Sequence, residues 1–217
     1  VYKRQDSIID DLKFDPRNPL SISSSNFSDS QNDNILMSLF NGDSTLWIGT
    51  SNGLNRYNLN TGSNKRFYSN ELENSIPSNF IYDIYSYDSL IFIGTDKGIA
   101  TINKYDNSIT RLPFFLNKKV YNLFEIAGNL LVHDNRGIFK IQNLELNEYL
   151  PIHLGNELNL KKINKNEFVI WNDEAKTERI FYYNNEFNTQ MLNEASNFII
   201  NDINNFKGAY YLSTNDG

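Results

Sequence analysis

The sequence of 217 residues contains no cysteine, and its two histidines are His133 and His153. The lack of cysteine excludes a disulfide scaffold and a thiolate metal site. Two histidines are too few for a histidine-rich metal centre. We therefore expect neither a metal nor a cofactor. No apolar run approaches the roughly 18 residues that a membrane-spanning helix needs.

Basic charge is also scarce, since the formal net charge is −6 at pH 7. A general nucleic-acid binder usually carries a basic surface, so we expect no nucleic-acid partner. The familiar catalytic motifs are missing as well: there is no Gly-x-Ser-x-Gly elbow, no His-Glu-x-x-His and no phosphate loop. The sequence therefore predicts that this chain is not an enzyme.

A strand followed by a tight turn recurs along the chain. In LWIGTSNG, bulky strand-forming residues precede a turn whose last glycine supplies the positive φ of a tight hairpin. Five such copies start at Leu46, Ile91, Leu130, Phe168 and Tyr210. The starts are separated by 45, 39, 38 and 42 residues. A period near 40 is typical of a propeller or a solenoid.

The segments between the copies favour the propeller. An alternating strand precedes each copy, and two further strands separated by a polar turn follow each complete copy. Four short strands per period describe a propeller blade. Helical repeats need a 3.6-residue period, which the sequence does not sustain. We predict an all-β fold, a partial β-propeller of about five four-stranded blades belonging to a larger, seven-bladed propeller.

The repeat also predicts the division of the chain. We expect a blade tail at 6–25 and blades at 26–72, 73–116, 117–152, 153–195 and 196–217, the last of them incomplete. The opening residues VYKRQ are what the transposase adapter GTG TAT AAG AGA CAG of sequencing libraries would encode, so we interpret residues 1–5 as a scar. The last residue, Gly217, lies in the turn of the fifth copy. We expect the chain to be a piece of a longer protein.

The first repeat resembles the two-component regulator propeller repeat. That bacterial family has a Trp-(Ile/Phe)-Gly-Thr-x-x-Gly-Leu core, an Arg-Tyr pair in the next strand, and a segment like Asp-Pro-x-Asn-Pro-x-Ser-(Ile/Leu). The matching residues are Trp47, Ile48, Gly49, Thr50, Gly53, Leu54, Arg56 and Tyr57, and then Asp15, Pro16, Asn18, Pro19, Ser21 and Ile22. The match is good again at Phe92 to Ile99 and weak afterwards. It covers residues 14–115, about half the chain.

The resemblance implies a function. Proteins with this repeat are typically periplasmic sensor regions of hybrid two-component systems, in which closed propellers precede an immunoglobulin-like domain, a membrane helix and a histidine kinase. Their ligands are often oligosaccharides. The expected partners are an oligosaccharide, further propeller blades and a C-terminal signalling region of the same chain. A homodimer of the full-length protein is a further expectation.

The turns between the second and third strands are the expected ligand site. These turns lie around the axis of a propeller, where ligands usually bind. Sugars need planar apolar faces and several hydrogen-bond partners. The predicted ligand residues are His133, Asp134, Arg136, Trp171, Asp173, Asp96 and Lys97. Arg136 and Trp171 depart from the repeat consensus, which marks either a site or the decay of the repeat.

Other motif residues have a structural interpretation. The 30 aromatic residues mostly fill the space between neighbouring sheets, and Trp47 and Phe92 occupy equivalent strand positions in that core. The predicted structural residues of the repeat are Trp47, Gly49, Thr50, Gly53, Phe92, Gly94, Thr95, Gly98, Gly137 and Gly217.

Two other functions stay open. A surface or secretion-associated propeller would act as an assembly or adhesion module without a kinase. A propeller lyase or glycosidase would use His133 and Arg136, and their substitution would then abolish turnover. A membrane helix and kinase after the propeller would instead select the sensor, which we favour.

Overall fold

The computed structural model describes residues 17, 35–40, 44–150, 158–172, 176–193, 200–206 and 208–214. For residues 35–40, 193, 201 and 212 it describes the backbone and not the side chain. Nearly all of the predicted blade tail, the predicted scar at 1–5, Asp173 and Gly217 lie outside the described residues.

The described chain forms five antiparallel sheets, four of them with four strands each. The first blade contains β1 (Ile35–Phe40), β2 (Thr45–Thr50), β3 (Gly53–Asn58) and β4 (Asn64–Phe67). The second contains β5 (Ile81–Tyr87), β6 (Leu90–Thr95), β7 (Gly98–Asn103) and β8 (Ile109–Arg111). The third contains β9 (Val120–Ile126), β10 (Asn129–Asp134), β11 (Gly137–Gln142) and β12 (Glu145–Tyr149). The fourth contains β13 (Asn159–Asn164), β14 (Glu167–Trp171), β15 (Thr177–Tyr183) and β16 (Glu186–Asn193).

The fifth sheet pairs β17 (Ile200–Phe206) with β18 (Ala209–Thr214). In every sheet the strands are hydrogen-bonded in sequence order, as the hairpin pattern predicts. The predicted all-β fold with four-stranded blades is therefore confirmed. The number seven for the whole propeller stays a prediction.

The chain divides into two compact units, residues 1–123 and 124–217, and the boundary falls within β9. In the first unit, one apolar core joins blade 1 to blade 2. Its buried residues are Trp47, Leu54, Phe67, Ile76, Ile81, Ile84, Ile91, Ile93, Ala100 and Ile102. In the second unit, Phe124 and Phe168 pack edge to face with ring centroids 5.1 Å apart, within a second core.

One predicted strand is shorter than expected. The apolar and polar alternation of SITRLPF predicts a strand over 108–114, but β8 ends at Arg111 and a 3-10 turn runs over Pro113–Phe115. Proline has no backbone N–H to donate to a strand partner and favours the start of a helical turn. The strand therefore ends just before it.

The first glycine of the repeat lets the next sheet approach closely. A Cβ atom on Gly49 would lie 2.6 Å from Ile81 Cγ2, and one on Gly94 would lie 2.8 Å from Val120 Cγ1. Ile81 and Val120 each begin the first strand of the following blade. Trp171 takes this place in blade 4, and its indole N–H donates to the Ile200 carbonyl at 3.0 Å. Ile200 likewise begins β17.

The first strands of blades 1, 2 and 5 share a register shift, which in blade 2 lies between Ile81 and Asp83. The Asp83 carboxylate accepts hydrogen bonds from the N–H of Ile84 at 2.8 Å and from the N–H of Leu123 at 2.6 Å. Leu123 belongs to the first strand of the next blade. Asp83 therefore ties two neighbouring first strands together within the first unit.

Burial raises the pKa of Asp83 to about 6, although its two backbone hydrogen bonds oppose the rise. A raised pKa means that the folded state holds a proton that the unfolded state has lost. The free energy of unfolding should then fall as the pH rises from about 4 to about 6, by up to ~3 kcal/mol. Urea denaturation at several pH values measures this slope.

Asp83→Asn is the control for this prediction, because asparagine does not titrate and stands at Asn159, the register equivalent of Asp83 in blade 4. The slope between pH 4 and 6 should be much smaller in this variant. Equal slopes in the two proteins would show that the burial of Asp83 has no such effect.

Candidate functional site

The turns between the second and third strands share one hydrogen-bond pattern in blades 1 and 2. The Thr50 hydroxyl donates to the Gly53 carbonyl at 2.9 Å and accepts from the Asn52 N–H at 3.1 Å. The Thr95 hydroxyl makes the same two bonds, at 2.9 Å and 3.1 Å, to the turn that ends in Gly98. The hydroxyl of the repeat threonine thus stabilises the turn through two hydrogen bonds to the turn's own backbone.

The turn of blade 3 is built differently. Asp134 replaces the threonine, and its carboxylate accepts from the Arg136 backbone N–H at 2.7 Å. An ionised carboxylate cannot donate to the following carbonyl as threonine does. It instead accepts from the Arg136 guanidinium, from Nε at 3.0 Å and Nη2 at 2.5 Å. The Asp134 side chain is fully buried and that of Arg136 is 28% exposed. The turn therefore holds an ion pair whose carboxylate is buried and whose guanidinium is partly in contact with solvent.

Two aromatic rings complete this turn. The Arg136 guanidinium carbon lies 4.8 Å from the centroid of the Phe139 ring, and the Tyr149 ring lies 5.1 Å from that of Phe139. The Tyr149 hydroxyl donates to the Arg136 carbonyl at 3.4 Å, and Tyr149 is 49% exposed. We call Asp134, Arg136, Phe139 and Tyr149 the blade 3 turn cluster.

Gly137 is what allows the Tyr149 ring to lie on the turn. Its φ is +139°, and a Cβ atom there would lie 2.7 Å from Tyr149 Cε2. In blade 1, Tyr68 lies against Gly53 in the same way, 3.0 Å from the position of a Cβ atom. The residue at or after the end of the fourth strand thus covers the turn glycine in both blades.

The sequence interpretation missed Tyr68 and Tyr149. Both stand at the end of a predicted fourth strand, in NKRFYS and ELNEYL, where an aromatic residue is ordinarily interpreted as core. Their half-exposed rings are the signal that only the structure supplies.

His133 and Trp171, two of the predicted ligand residues, are buried in the structure. His133 is fully buried and Trp171 is 5% exposed. They occupy the positions of Gly49 and Gly94 in the earlier blades. In this structure both side chains pack inside the second unit and do not line an open surface.

The remaining predicted ligand residues are not all in one unit. Asp96 and Lys97 lie in the first unit, in the turn between β6 and β7, where Lys97 is exposed and its carbonyl accepts from the Asn117 N–H at 2.9 Å. Asp173 lies outside the described residues. The structure therefore brings together Asp134 and Arg136 from the predicted set and adds Tyr149.

Within the described ranges, no group of three or more His, Cys, Asp or Glu side chains is placed to hold a metal ion. No helix in the same ranges is long and apolar enough to cross a membrane.

Comparison with known proteins places the fold. No family model matches the sequence, and no curated protein matches it. The extracellular domain of the putative hybrid two-component system BT3049 from B. thetaiotaomicron has a TM-score of 0.57 at 19% identity, over 80% of this chain and 25% of that one. The extracellular domain of the putative one-component system BT4673 from the same organism gives 0.58 at 21% identity, over 82% and 25%. The β-propeller domain of Cps50 (Swd1) from Myceliophteria thermophila gives 0.52 at 11%, over 80% and 63%.

These likenesses define the class of the fold. The chain is part of a β-propeller, a fold that it shares with extracellular domains of bacterial regulatory systems. It spans about a quarter of the length of those two domains.

Proposed function

We propose that this chain is part of the periplasmic ligand-sensing propeller of a two-component regulatory protein, a hybrid histidine kinase of the two-component regulator propeller family. Two separate observations support the proposal. The fold is that of the BT3049 and BT4673 extracellular domains. The motif residues Gly49, Thr50 and Gly53 perform the tasks that a repeated blade needs: close approach, turn fixation and positive φ.

The proposed ligand is an oligosaccharide, and its proposed binding site is the blade 3 turn cluster. A half-exposed tyrosine ring offers an apolar face for the C–H groups of a sugar ring, while the neighbouring guanidinium offers several N–H donors to hydroxyl oxygens. The pairing of Arg136 with Asp134 fixes the guanidinium before a ligand arrives, which lowers the entropy cost of binding. The placement of the Tyr149 ring against the turn that holds Arg136 is the observation that carries the proposal.

The hydrogen bonds between Asp134 and Arg136 favour ligand recognition over catalysis at this turn. The Asp134 carboxylate accepts four hydrogen-bond contacts from Arg136 alone, through both of its oxygens. Both carboxylate oxygens are thus already occupied within the turn, which favours a structural role for Asp134 over a catalytic one. We therefore propose that the turn binds its ligand unchanged and that any catalysis belongs to a kinase elsewhere in the full-length protein.

A screen of oligosaccharides tests this proposal. Partial digests of polysaccharides are added to the 217-residue chain, thermal shift identifies the binding fractions, and calorimetry measures the affinity of the purified ligand. Tyr149→Ala should weaken binding about 10- to 100-fold, since loss of one stacked aromatic ring costs roughly 1–3 kcal/mol. Arg136→Gln should weaken binding to a similar degree.

The matched control is Tyr105→Ala. Tyr105 is 84% exposed and lies in the turn between β7 and β8, outside the blade 3 turn cluster. It should leave the affinity unchanged. A ligand whose affinity is equal in Tyr149→Ala and in Tyr105→Ala would place the binding site elsewhere, and turnover of the ligand by the chain would favour an enzyme.

A further inference from the structure

A polar cavity of about 260 Å³ lies at the other end of blade 1 from the turn at Thr50–Gly53. It is formed by the start of β2, the end of β3 and the start of β4. The lining residues are Thr45, Arg56, Asn58, Ser63, Asn64 and Lys65. Of these six lining residues, Arg56 and Lys65 are cationic and none is acidic. The cavity therefore has the charge of a site for an anionic group.

The two cations are held in place by aromatic rings. The Arg56 guanidinium carbon lies 5.7 Å from the centroid of the Trp47 ring, and the Lys65 ammonium lies 5.1 Å from that of Phe67. Arg56 Nη1 also donates to the Asn107 side-chain oxygen at 2.8 Å. That bond uses one of the five N–H donors of the guanidinium.

Blade 4 shows what this arrangement binds. Strand registers make the positions equivalent: Trp47 pairs with Arg56 as Val169 pairs with Arg179, and Arg56 pairs with Lys65 as Arg179 pairs with Gln190. Two residues before Val169 stands Glu167, and two residues before Trp47 stands Thr45. Glu167 is therefore the counterpart of Thr45.

In blade 4 the carboxylate of Glu167 occupies the place beside the strand arginine. Arg179 donates to Glu167 from Nε at 2.9 Å and from Nη2 at 3.3 Å. The Asn164 amide and the Tyr210 hydroxyl donate to the same carboxylate. The Glu167 side chain is 9% exposed, so this is a desolvated carboxylate site that the chain fills itself.

We propose that the blade 1 cavity is a carboxylate-binding site filled from outside the chain. Blade 1 keeps the arginine of the blade 4 site and adds Lys65, but its Thr45 supplies no carboxylate. An organic carboxylate enters the cavity, takes the place that Glu167 takes in blade 4, and accepts hydrogen bonds from Arg56 and Lys65. The cavity volume exceeds the roughly 30 Å³ of one water several-fold, which leaves room for a ring attached to the carboxylate. This site is separate from the blade 3 turn cluster.

Sodium glucuronate is the probe, with glucose at the same ionic strength as the uncharged comparison. Titrations are followed by the backbone amide NMR signals of residues 56–65. Glucuronate should shift these signals with saturation, and glucose should not. Thr45→Glu introduces the missing carboxylate and should weaken glucuronate binding at least about tenfold, because the internal carboxylate occupies Arg56. Thr45→Gln is the matched control of the same size without charge, and it should retain binding.

Lys65→Gln is a second variant at an exposed position, chosen because it leaves the core untouched. It should weaken glucuronate binding about three- to tenfold through the loss of one charge. Equal shifts with glucuronate and glucose, or equal affinities in Thr45→Glu and Thr45→Gln when both variants give the wild-type pattern of amide signals elsewhere, would overturn the proposal.

Discussion

Replacement of Gly98 by alanine is expected to lower the free energy of unfolding by about 2–5 kcal/mol. Gly98 has a φ of +132°, which residues with a side chain rarely adopt, and a Cβ atom there would lie 2.7 Å from the Phe115 carbonyl oxygen. The obstacle is backbone, which cannot turn away as a flexible side chain can. Urea denaturation, followed by tryptophan fluorescence, measures the loss.

Gly128→Ala is the comparison for Gly98→Ala, because Gly128 has a positive φ without a close contact. Gly128 also has a positive φ, +77°, but a Cβ atom there meets nothing within 4 Å. We therefore expect a loss of about 1 kcal/mol from the backbone conformation alone. The difference between the two variants measures the close approach of the chain after β8 together with the φ of Gly98, which lies further from the left-handed region than that of Gly128. Equal losses would show that this approach adds nothing.

Glu167→Ala is expected to cost about 2–4 kcal/mol. The substitution removes the carboxylate that pairs with Arg179 and that accepts from Tyr210 and Asn164. It leaves polar groups of three strands without their shared acceptor in a site that is mostly closed to water. The range is set below that of a fully buried pair because the Arg179 side chain is 30% exposed and regains water.

Glu186→Ala provides the comparison for this variant. Glu186 is an exposed residue at the start of β16, where it pairs with Tyr183 and not with Arg179. Its removal should change the free energy of unfolding by no more than about 0.5 kcal/mol. A loss below about 1 kcal/mol for Glu167→Ala would contradict the role assigned to its carboxylate.

The strand order of this molecule is readable from its sequence because the repeat acts locally. Bulky alternating residues mark the strands, and a glycine of positive φ marks the turn after the second strand in blades 1, 2 and 3, at Gly53, Gly98 and Gly137. These signals need no knowledge of the rest of the chain. The exception at Pro113 is also local, since proline favours the first turn of a helix and here begins the 3-10 turn that ends the strand.

The contacts that define the sites were less accessible because they join residues about one repeat apart. Asp83 accepts from the Leu123 N–H, 40 residues away, and Tyr210 donates to Glu167, 43 residues away. The period of the repeat predicts that neighbouring blades meet, but not which side chains then pair.

The candidate site also combines a contact that is local in sequence with one that depends on strand register. Asp134 and Arg136 are two residues apart in a turn, so their proximity was predictable from sequence. Tyr149 reaches that turn from the fourth strand, and only the register of β11 with β12 brings it there. For His133 and Trp171 the ligand role stays a prediction, because a departure from the repeat glycine marks a change of packing as readily as a site, and both side chains are buried.

A crystal structure of the chain with the oligosaccharide that the screen identifies is the decisive test of the proposed ligand site. A sugar ring should stack on the exposed face of Tyr149, with a hydroxyl oxygen within about 3 Å of the Arg136 guanidinium. A ligand bound in another place, with the blade 3 turn cluster in contact with solvent alone, would contradict the proposed site.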